Sequence, residues 1–301
     1  MIVSASYKTD IPAFYGEWFL NRLNAGFART VNPYSRRSQT VLLTRDSVDG
    51  FVFWTRNVGP FLGVLDEMRQ RGFPFVVQYT ITGYPRALDR ATIAPEHAAE
   101  HLHRLSRTFG KAVCVWRYDP VVMTSLTPAD WHIDTFARLS GAVSGAVDEV
   151  VMSFAHAYRK TKRNLNAAGR RAGFDWSDPD PSEKVALLSR LAAIAAEHGI
   201  TASLCGQPEL LTTGLRDACC IDAGRLEKAA RRPIAATRKP HRERCGCFAS
   251  RDIGAYDSCP HGCAYCYAVG SQSLAKQNFA RHGPDSDSLV DASQTPNLTR
   301  F

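Results

Sequence analysis

The feature that most constrains this chain lies near its end. Cys245 and Cys247 are followed by Cys259, Cys263 and Cys266 in the run CPHGCAYC. Five of the nine cysteines therefore fall within 22 residues. The last three read C-x3-C-x2-C, with Tyr265 directly before the third. Thiolate sulfur is the soft donor that iron–sulfur clusters require, and three thiolates at this spacing can wrap one corner of a small cluster and leave its fourth metal without a protein ligand. A structural zinc site competes with this assignment, but a zinc knuckle normally pairs one C-x2-C with a second or with two histidines. Gly, Pro, His and Tyr flank these cysteines rather than core aliphatics, which argues against a chance cluster of buried thiols.

A chain of 301 residues holds one large α/β domain or two smaller ones, with ample material for a buried core. Lys and Arg number 37 against 29 Asp and Glu, a net charge of +8. That balance favours anionic partners, whether nucleic acid, phosphate or the acidic part of a cofactor, although solubility alone also accounts for it. No apolar run approaches the length of a membrane span, so no membrane partner is expected. The opening MIVSASYKTD lacks the basic and then apolar pattern of a secretory signal. The reducing cytoplasm is the expected setting, where crowded cysteines serve more often as ligands or catalytic groups than as disulfides.

Along the chain, short apolar runs alternate with amphipathic stretches. Residues 2–6 read as a first strand. Asp10 is placed to cap a helix with Pro12 in its first turn, and that helix runs over 13–26 to a stop at Gly26. Residues 27–31 and 40–44 suggest a hairpin across the basic turn NPYSRRSQ. Apolar runs at 50–54, 73–80, 112–116, 149–154 and 200–204 are followed by helical patterns at 59–71, 95–108, 128–144 and 181–198, and by a turn plus helix over 212–230. Between 155 and 180 the chain reads as a basic, Pro-bearing passage. Continuous apolar strands alternating with helices imply a parallel sheet covered by helices. About six such units are too few for a closed eight-fold barrel, so the expected fold is an open or partial (β/α) barrel over 1–230, with a doubly wound sheet as the alternative. A basic linker (231–244) leads into a Cys-rich segment ending near 281, which is expected to fold over the barrel mouth. A helix is expected over 271–281. Residues 282–301 are polar and aperiodic, and disorder is expected there.

In both architectures polar residues at the C-terminal ends of strands collect on one edge, where ligands of such folds sit. That edge would hold Thr9 and Asp10, then Trp54, Thr55 and Arg56, then Gln78 and Thr80, Arg117 and Asp119, and Ser153 with Tyr158. Asp10, Arg56, Gln78, Arg117 and Asp119 are the candidates to hold or protonate a small or nucleotide-like substrate, and Thr55 and Ser153 are candidates to contact a cofactor. Arg117 beside Asp119 also reads as a structural ion pair. No histidine falls clearly in the set; His156 and His261 come nearest.

The C-x3-C-x2-C with Tyr265 resembles the cluster motif of radical S-adenosylmethionine (SAM) enzymes. More of the chain resembles the domain of unknown function 1848 family, through residues 4–15 (SASYKTDIPAFY), 52–56 (VFWTR), 116–120 (WRYDP), 252–256 (DIGAY) and 259–268 (CPHGCAYCYA). Tyr7 and Lys8 stand where that family commonly has two arginines. The resemblance implies a [4Fe–4S] cluster on Cys259, Cys263 and Cys266 whose open iron chelates SAM, with reductive cleavage giving a 5′-deoxyadenosyl radical. It also implies that Tyr265 packs near the adenine and that an electron donor such as flavodoxin or ferredoxin supplies the electron. Radical SAM enzymes usually carry the cysteine loop after the first barrel strand. Here it arrives from the other end of the chain, and a Gly-Gly-Glu segment for the SAM amino group is not visible.

A second group of cysteines remains. C-x-C is too tight to complete a tetrahedral site alone, so Cys245 and Cys247 would need two distant thiolates. Cys205 with Cys220 (or Cys219) would supply them, giving a second [4Fe–4S] cluster or a zinc site. The plainer alternative makes Cys205 and Cys219 small buried hydrophobes. Two other functions compete with the radical enzyme: a zinc-stabilised nucleic-acid-binding protein, drawing on the positive charge, and an iron–sulfur electron-transfer or redox-sensing protein.

Overall fold

The structure, a computed structural model, describes residues 1–32, 35, 37–240 and 245–290. The chain opens with strand β1 (Ile2–Ser4). Asp10 caps the short helix α1 (Ile11–Phe14): its carboxylate accepts from Ala13 N at 2.9 Å, and Pro12 occupies the first turn, where its missing N–H has no partner to lose. The single helix expected over 13–26 is broken at Tyr15, and α2 (Gly16–Ala25) follows. It stops at Gly26, whose φ of 77° is the left-handed cap that glycine adopts without strain. β2 (Phe27–Val31) and β3 (Ser38–Leu42) form the expected antiparallel hairpin, its second strand starting two residues earlier than the sequence pattern suggests.

Then come β4 (Gly50–Thr55), α3 (Leu62–Gln70), β5 (Phe75–Thr80), α4 (Pro95–Phe109), β6 (Cys114–Val121), β7 (Met123–Thr124), α5 (Ala129–Val143) and β8 (Glu149–Phe154). They are followed by α6 (Arg159–Ala172), β9 (Trp176–Ser177), α7 (Pro181–Glu197), β10 (Thr201–Leu204), β11 (Leu215–Asp217), α8 (Ala223–Ala230), β12 (Ser250–Asp252) and α9 (Gln272–Arg281). β7 and β9 pair antiparallel beside the main sheet.

The main sheet has eight strands in the order β11-β10-β8-β6-β5-β4-β1-β12, every pairing parallel. From β1 to β11 the order simply follows the sequence. A doubly wound sheet reverses direction at a switch point, and none occurs here. Two strands exceed the six expected. β11 and β12 are three residues each, too short to carry a periodic signal. β12 has a further consequence: it pairs Ile2 with Ser250 and Ser4 with Asp252, so the Cys-rich segment contributes an edge strand instead of merely covering one.

Successive strand residues face opposite sides. On one side Phe51, Phe53, Val77, Tyr79, Trp116, Tyr118, Val150 and Met152 pack against helix residues such as Leu65, Leu102, Phe136, Leu188 and Leu191. Burying each large apolar side chain stabilises by about 1.5–3 kcal/mol, so this layer dominates the stability of the fold. On the other side Ile2, Val52, Val76, Val115 and Val151 form a single row beneath α8, contacting Leu226 and Ile221. Two residues further along the same strands the inward positions become Trp54, Gln78, Arg117 and Ser153. The apolar row therefore forms the floor beneath a more polar layer.

Two expectations need correction. The passage at 155–180 contains α6, whose apolar stripe is only Thr161, Leu165 and Ala168 amid six basic residues. Residues 282–290 are docked, not free. Trp18 Nε1 donates to Ser286 O (2.8 Å), Arg22 pairs with Asp287 (2.8 Å), and Arg29 N donates to Asp287 O (2.7 Å). The end of the expected tail (291–301), the end of the basic linker (241–244) and part of the hairpin turn (33, 34 and 36) lie outside the described residues. Among the described residues no helix is long and apolar enough to cross a membrane.

Candidate functional site

A cavity of about 930 Å3 opens at the C-terminal ends of the parallel strands. Its wall takes Ser6, Thr9 and Asp10 after β1, Trp54 to Arg56 from β4, Thr80 from β5, Arg117 and Asp119 from β6, Ser153 to Tyr158 after β8, and Cys205 after β10. The Cys-rich segment closes the other side with Cys245, Cys247, Tyr256, Cys259, His261, Cys263, Tyr265, Cys266 and Tyr267. Thus ten candidates from the two ends of the chain, together with Thr55, Ser153 and Tyr265, share one space with Cys220. Gln78 is the exception. It is absent from the lining and braces the wall from behind, with Nε2 donating to Cys220 O (3.1 Å) and Oε1 accepting from Arg117 (3.2 Å).

The thiols of Cys259, Cys263 and Cys266 are pushed upward in pKa, first by burial. The charge of neighbouring thiols adds to this: Cys263 feels both Cys266 and Cys259, and Cys259 feels Cys266. The loop that carries them is fixed on every side. Tyr15 Oη donates to Ser258 O (2.6 Å), and Ala264 N donates to Leu88 O (2.8 Å). Ala91 N donates to His261 O (3.0 Å), and Asn164 Nδ2 on α6 donates to Cys266 O (3.2 Å) and Val269 O (3.0 Å). Gly262 turns the loop with φ 77°, a conformation that glycine alone adopts cheaply.

The charged candidates are engaged with one another. Asp10 ties three segments together: besides capping α1, its Oδ2 accepts from Arg56 N (2.7 Å) and faces His261 Nε2 (2.8 Å). The Arg56 guanidinium pairs with Asp89 and donates to Tyr265 Oη (2.6 Å) and Thr82 Oγ1 (2.8 Å). Burial works against its charge, yet Asp89, Tyr265 and Cys263 together hold its pKa above the ordinary arginine value. Asp89, 1% exposed, accepts from Tyr265 Oη (2.7 Å) and Thr82 Oγ1 (3.0 Å) as well. Arg117 pairs with Asp119, which also accepts from Ser153 Oγ, so the ion pair suggested by their spacing is present. Thr55 Oγ1 accepts from Asn57 N (2.9 Å) and shapes the turn after β4.

Sequence reasoning missed Asp89, which sits in a loop without any periodic or motif signal. It also missed Asp252, which accepts from Ser4 Oγ (2.5 Å), Ser6 Oγ (3.0 Å) and Tyr7 N (3.1 Å) and pairs with Lys8 (3.3 Å). These contacts join β12 to the loop after β1. The aromatic wall is new as well. Tyr7 meets Trp54 edge-on at 6.3 Å, and Lys8 and Lys160 each lie 5.5 Å from the Tyr256 ring centre. Two polar atoms at this wall, Thr9 Oγ1 and Arg56 Nε, are buried with no hydrogen-bond partner.

Among the described residues, no three or more His, Cys, Asp or Glu side chains converge as the ligand set of a single metal ion. The fold and site define an α/β protein whose parallel strand ends and late cysteines enclose one thiol-lined cavity. More particularly, the chain belongs to the family described as "Domain of unknown function (DUF1848)", whose sequence model matches residues 2–268. No curated protein and no solved structure matches it.

Proposed function

We propose that this protein is a radical-SAM-like iron–sulfur enzyme, with a [4Fe–4S] cluster on Cys259, Cys263 and Cys266 at the mouth of a partial (β/α) barrel. The observation that carries the reading is that these three thiols face the same cavity as the strand-end residues Asp10, Thr55, Arg56, Arg117, Asp119 and Ser153. A cluster takes each thiolate on a different iron, so its ligands need not close around a single point as zinc ligands must. When bound, the cluster and SAM would supply a reductively generated radical, with the electron coming from a flavodoxin- or ferredoxin-like donor.

The chain's own residues would bind, orient and exclude water. Asp10, His261, Asp89 and Arg56 hold the cysteine loop against α1, β4 and β5. Tyr7, Trp54, Tyr256 and Tyr267 offer flat apolar faces suited to an adenine or a similar ring. Lys8, Arg159 and Lys160 line the same cavity and suit a carboxylate or phosphate. Thr9 Oγ1 and Arg56 Nε, buried and unsatisfied, are groups that a bound ligand would complete.

The test is anaerobic purification, measurement of iron and sulfide, and then incubation of the reduced protein with SAM. Iron and sulfide lost in Cys259→Ser/Cys263→Ser, together with 5′-deoxyadenosine formed only by the wild type, support the reading. A fully loaded protein that forms no 5′-deoxyadenosine overturns the enzyme and leaves electron transfer. One observation favours a second reading, nucleic-acid binding: the exposed face of α6 carries Arg159, Lys162, Arg163, Arg170 and Arg171, and the helix has no acidic residue. RNA or DNA binding whose affinity falls steeply with salt would support it, and salt-independent or absent binding would remove it.

A further inference from the structure

Cys114 shows what a structural cysteine looks like in this chain. It is buried, and its sulfur reaches only Leu102 O, at 4.0 Å. Five others behave differently. Cys205 Sγ lies 3.3 Å from Cys220 Sγ, and the thiols of Cys219, Cys220 and Cys245 are the sulfur neighbours of Cys247. Three separate segments bring them together: the end of β10, the turn before α8 and the stretch before β12.

We propose that Cys205, Cys220, Cys245 and Cys247 bind a second metal centre of thiolate-seeking chemistry, an iron–sulfur cluster or a zinc ion, separate from the site on Cys259, Cys263 and Cys266. The proposal does not depend on SAM chemistry. The contacts run as a chain, Cys205–Cys220–Cys247–Cys245, and all four residues line the cavity. The structure also chooses between the adjacent pair. Cys219 also neighbours Cys247, but it does not line the cavity, and its thiol is engaged by Ile221 O (3.0 Å) and Gly246 O (3.3 Å).

The surroundings fit ligating sulfur. Arg117 Nη1 donates to Cys220 Sγ (3.1 Å), and Ile221 N donates to Cys247 Sγ (3.4 Å). Donors aimed at sulfur are the outer-shell contacts that orient and tune metal-bound thiolates. The apolar row Ile2, Val52, Val76, Val115 and Val151 lies in the same cluster as Cys220 and Cys247 and keeps water from that side. The 3.3 Å sulfur separation compares with roughly 3.8 Å between two thiolates on a tetrahedral zinc with bonds of about 2.3 Å; the sulfurs do not converge on one point in the structure, so a zinc ion would have to draw them together on binding, while a cluster would spread them over separate irons. Either centre displaces the thiol protons to solvent as it binds.

The test counts iron, zinc and acid-labile sulfide per chain in anaerobically purified full-length protein. The expected result is that Cys245→Ser/Cys247→Ser loses one increment, ~4 iron with sulfide or ~1 zinc, and keeps whatever Cys259, Cys263 and Cys266 hold. Loss of iron with sulfide identifies a cluster, and loss of zinc identifies the ion. Wild-type metal content in that variant overturns the proposal. Wild-type content in Cys259→Ser/Cys263→Ser instead overturns the function proposed above and leaves this centre standing. A second measurement needs no variant to fold: alkylation of native wild-type protein before and after chelation, mapped by mass spectrometry. Cys205, Cys220, Cys245 and Cys247 should become reactive only after the metal is stripped, with Cys114 unreactive throughout. Labelling of those four that chelation leaves unchanged overturns it.

Discussion

Replacing Asp89 by alanine tests whether the cysteine loop is anchored by a buried charge network. Asp89 is 1% exposed and accepts from Arg56, Tyr265 and Thr82, while the Arg56 side chain is 12% exposed. Removing the carboxylate leaves a buried guanidinium without its counter-charge. Breaking a buried pair in this way costs about 3–5 kcal/mol, because the charge left behind keeps its desolvation penalty. At roughly 2–4 °C per kcal/mol for chains somewhat shorter than this one, Tm should fall by about 10 °C. Arg56→Met/Asp89→Leu removes both charges and should recover most of that loss. The network also reaches the cysteine loop directly: Asp89 bridges to Cys263, and Tyr265 lies between Cys263 and Cys266. Asp89→Asn, which keeps the shape and loses the charge, should therefore reduce the iron retained after desalting even where the protein stays folded. The assays are thermal melts of all three variants beside iron counts. A Tm change within about 2 °C for Asp89→Ala, the size expected of an ordinary surface substitution, would refute the argument.

Three further outcomes follow from particular residues. Burial holds the His132 pKa down at about 4, with Nδ1 2.8 Å from Tyr118 Oη. The native imidazole cannot take the proton that the unfolded chain accepts below an ordinary pKa of about 6.5, so stability is unaffected above that pH and falls by up to about 3 kcal/mol as pH drops toward 4. Urea midpoints measured near pH 7.5 and 4.5 should differ less in His132→Gln than in the wild type. Gly262→Val forces a β-branched residue to φ 77° beside Cys263, a strain of about 1–3 kcal/mol, and should lower iron retention more than it lowers Tm. Asp287→Ala removes the partner of Arg22 and should cost about 1 kcal/mol, discounted because the Asp287 side chain is 42% exposed; a thermal melt, with proteolysis beyond 282 as the local probe, reads it.

Much of the fold is legible in the sequence because parallel strands covered by helices leave a strong mark. Runs such as GFVFW and FPFVV are apolar on both faces, and each is followed by an amphipathic helix. Signals weaken where tertiary contacts replace pattern. β11 and β12 hold three residues each, and their pairing comes from the neighbouring strand rather than from their own composition. α6 carries six cations in 14 residues and hides its thin apolar stripe from any periodicity argument. Residues 282–290 look like a solvated tail because Asp285 and Asp287 are polar, yet those side chains satisfy Asn21 and Arg22 on α2. Composition does not distinguish a polar residue that faces water from one that faces a waiting cation.

The edge on which the candidate residues gather was legible for a different reason. In a parallel sheet whose strand order follows the sequence, all strand ends reach one edge, so a polar residue two places beyond an inward valine has one destination. Val52 to Trp54, Val76 to Gln78, Val115 to Arg117 and Val151 to Ser153 repeat that step on four adjacent strands. What spacing alone does not give is which of these side chains is spent on the wall itself. Gln78 shows the distinction: its inward position is right, but both ends of its amide are committed to Cys220 O and Arg117, so it supports the cavity without entering it. The same reasoning separates Arg56 from Lys160. Arg56 pairs with Asp89 and acts on the cysteine loop through Tyr265, whereas Lys160 lines the cavity from the first turn of α6, with its ammonium over the Tyr256 ring. An incoming anion should therefore respond to Lys160→Ala in its affinity, and to Arg56→Ala chiefly through loss of the loop that Arg56 holds.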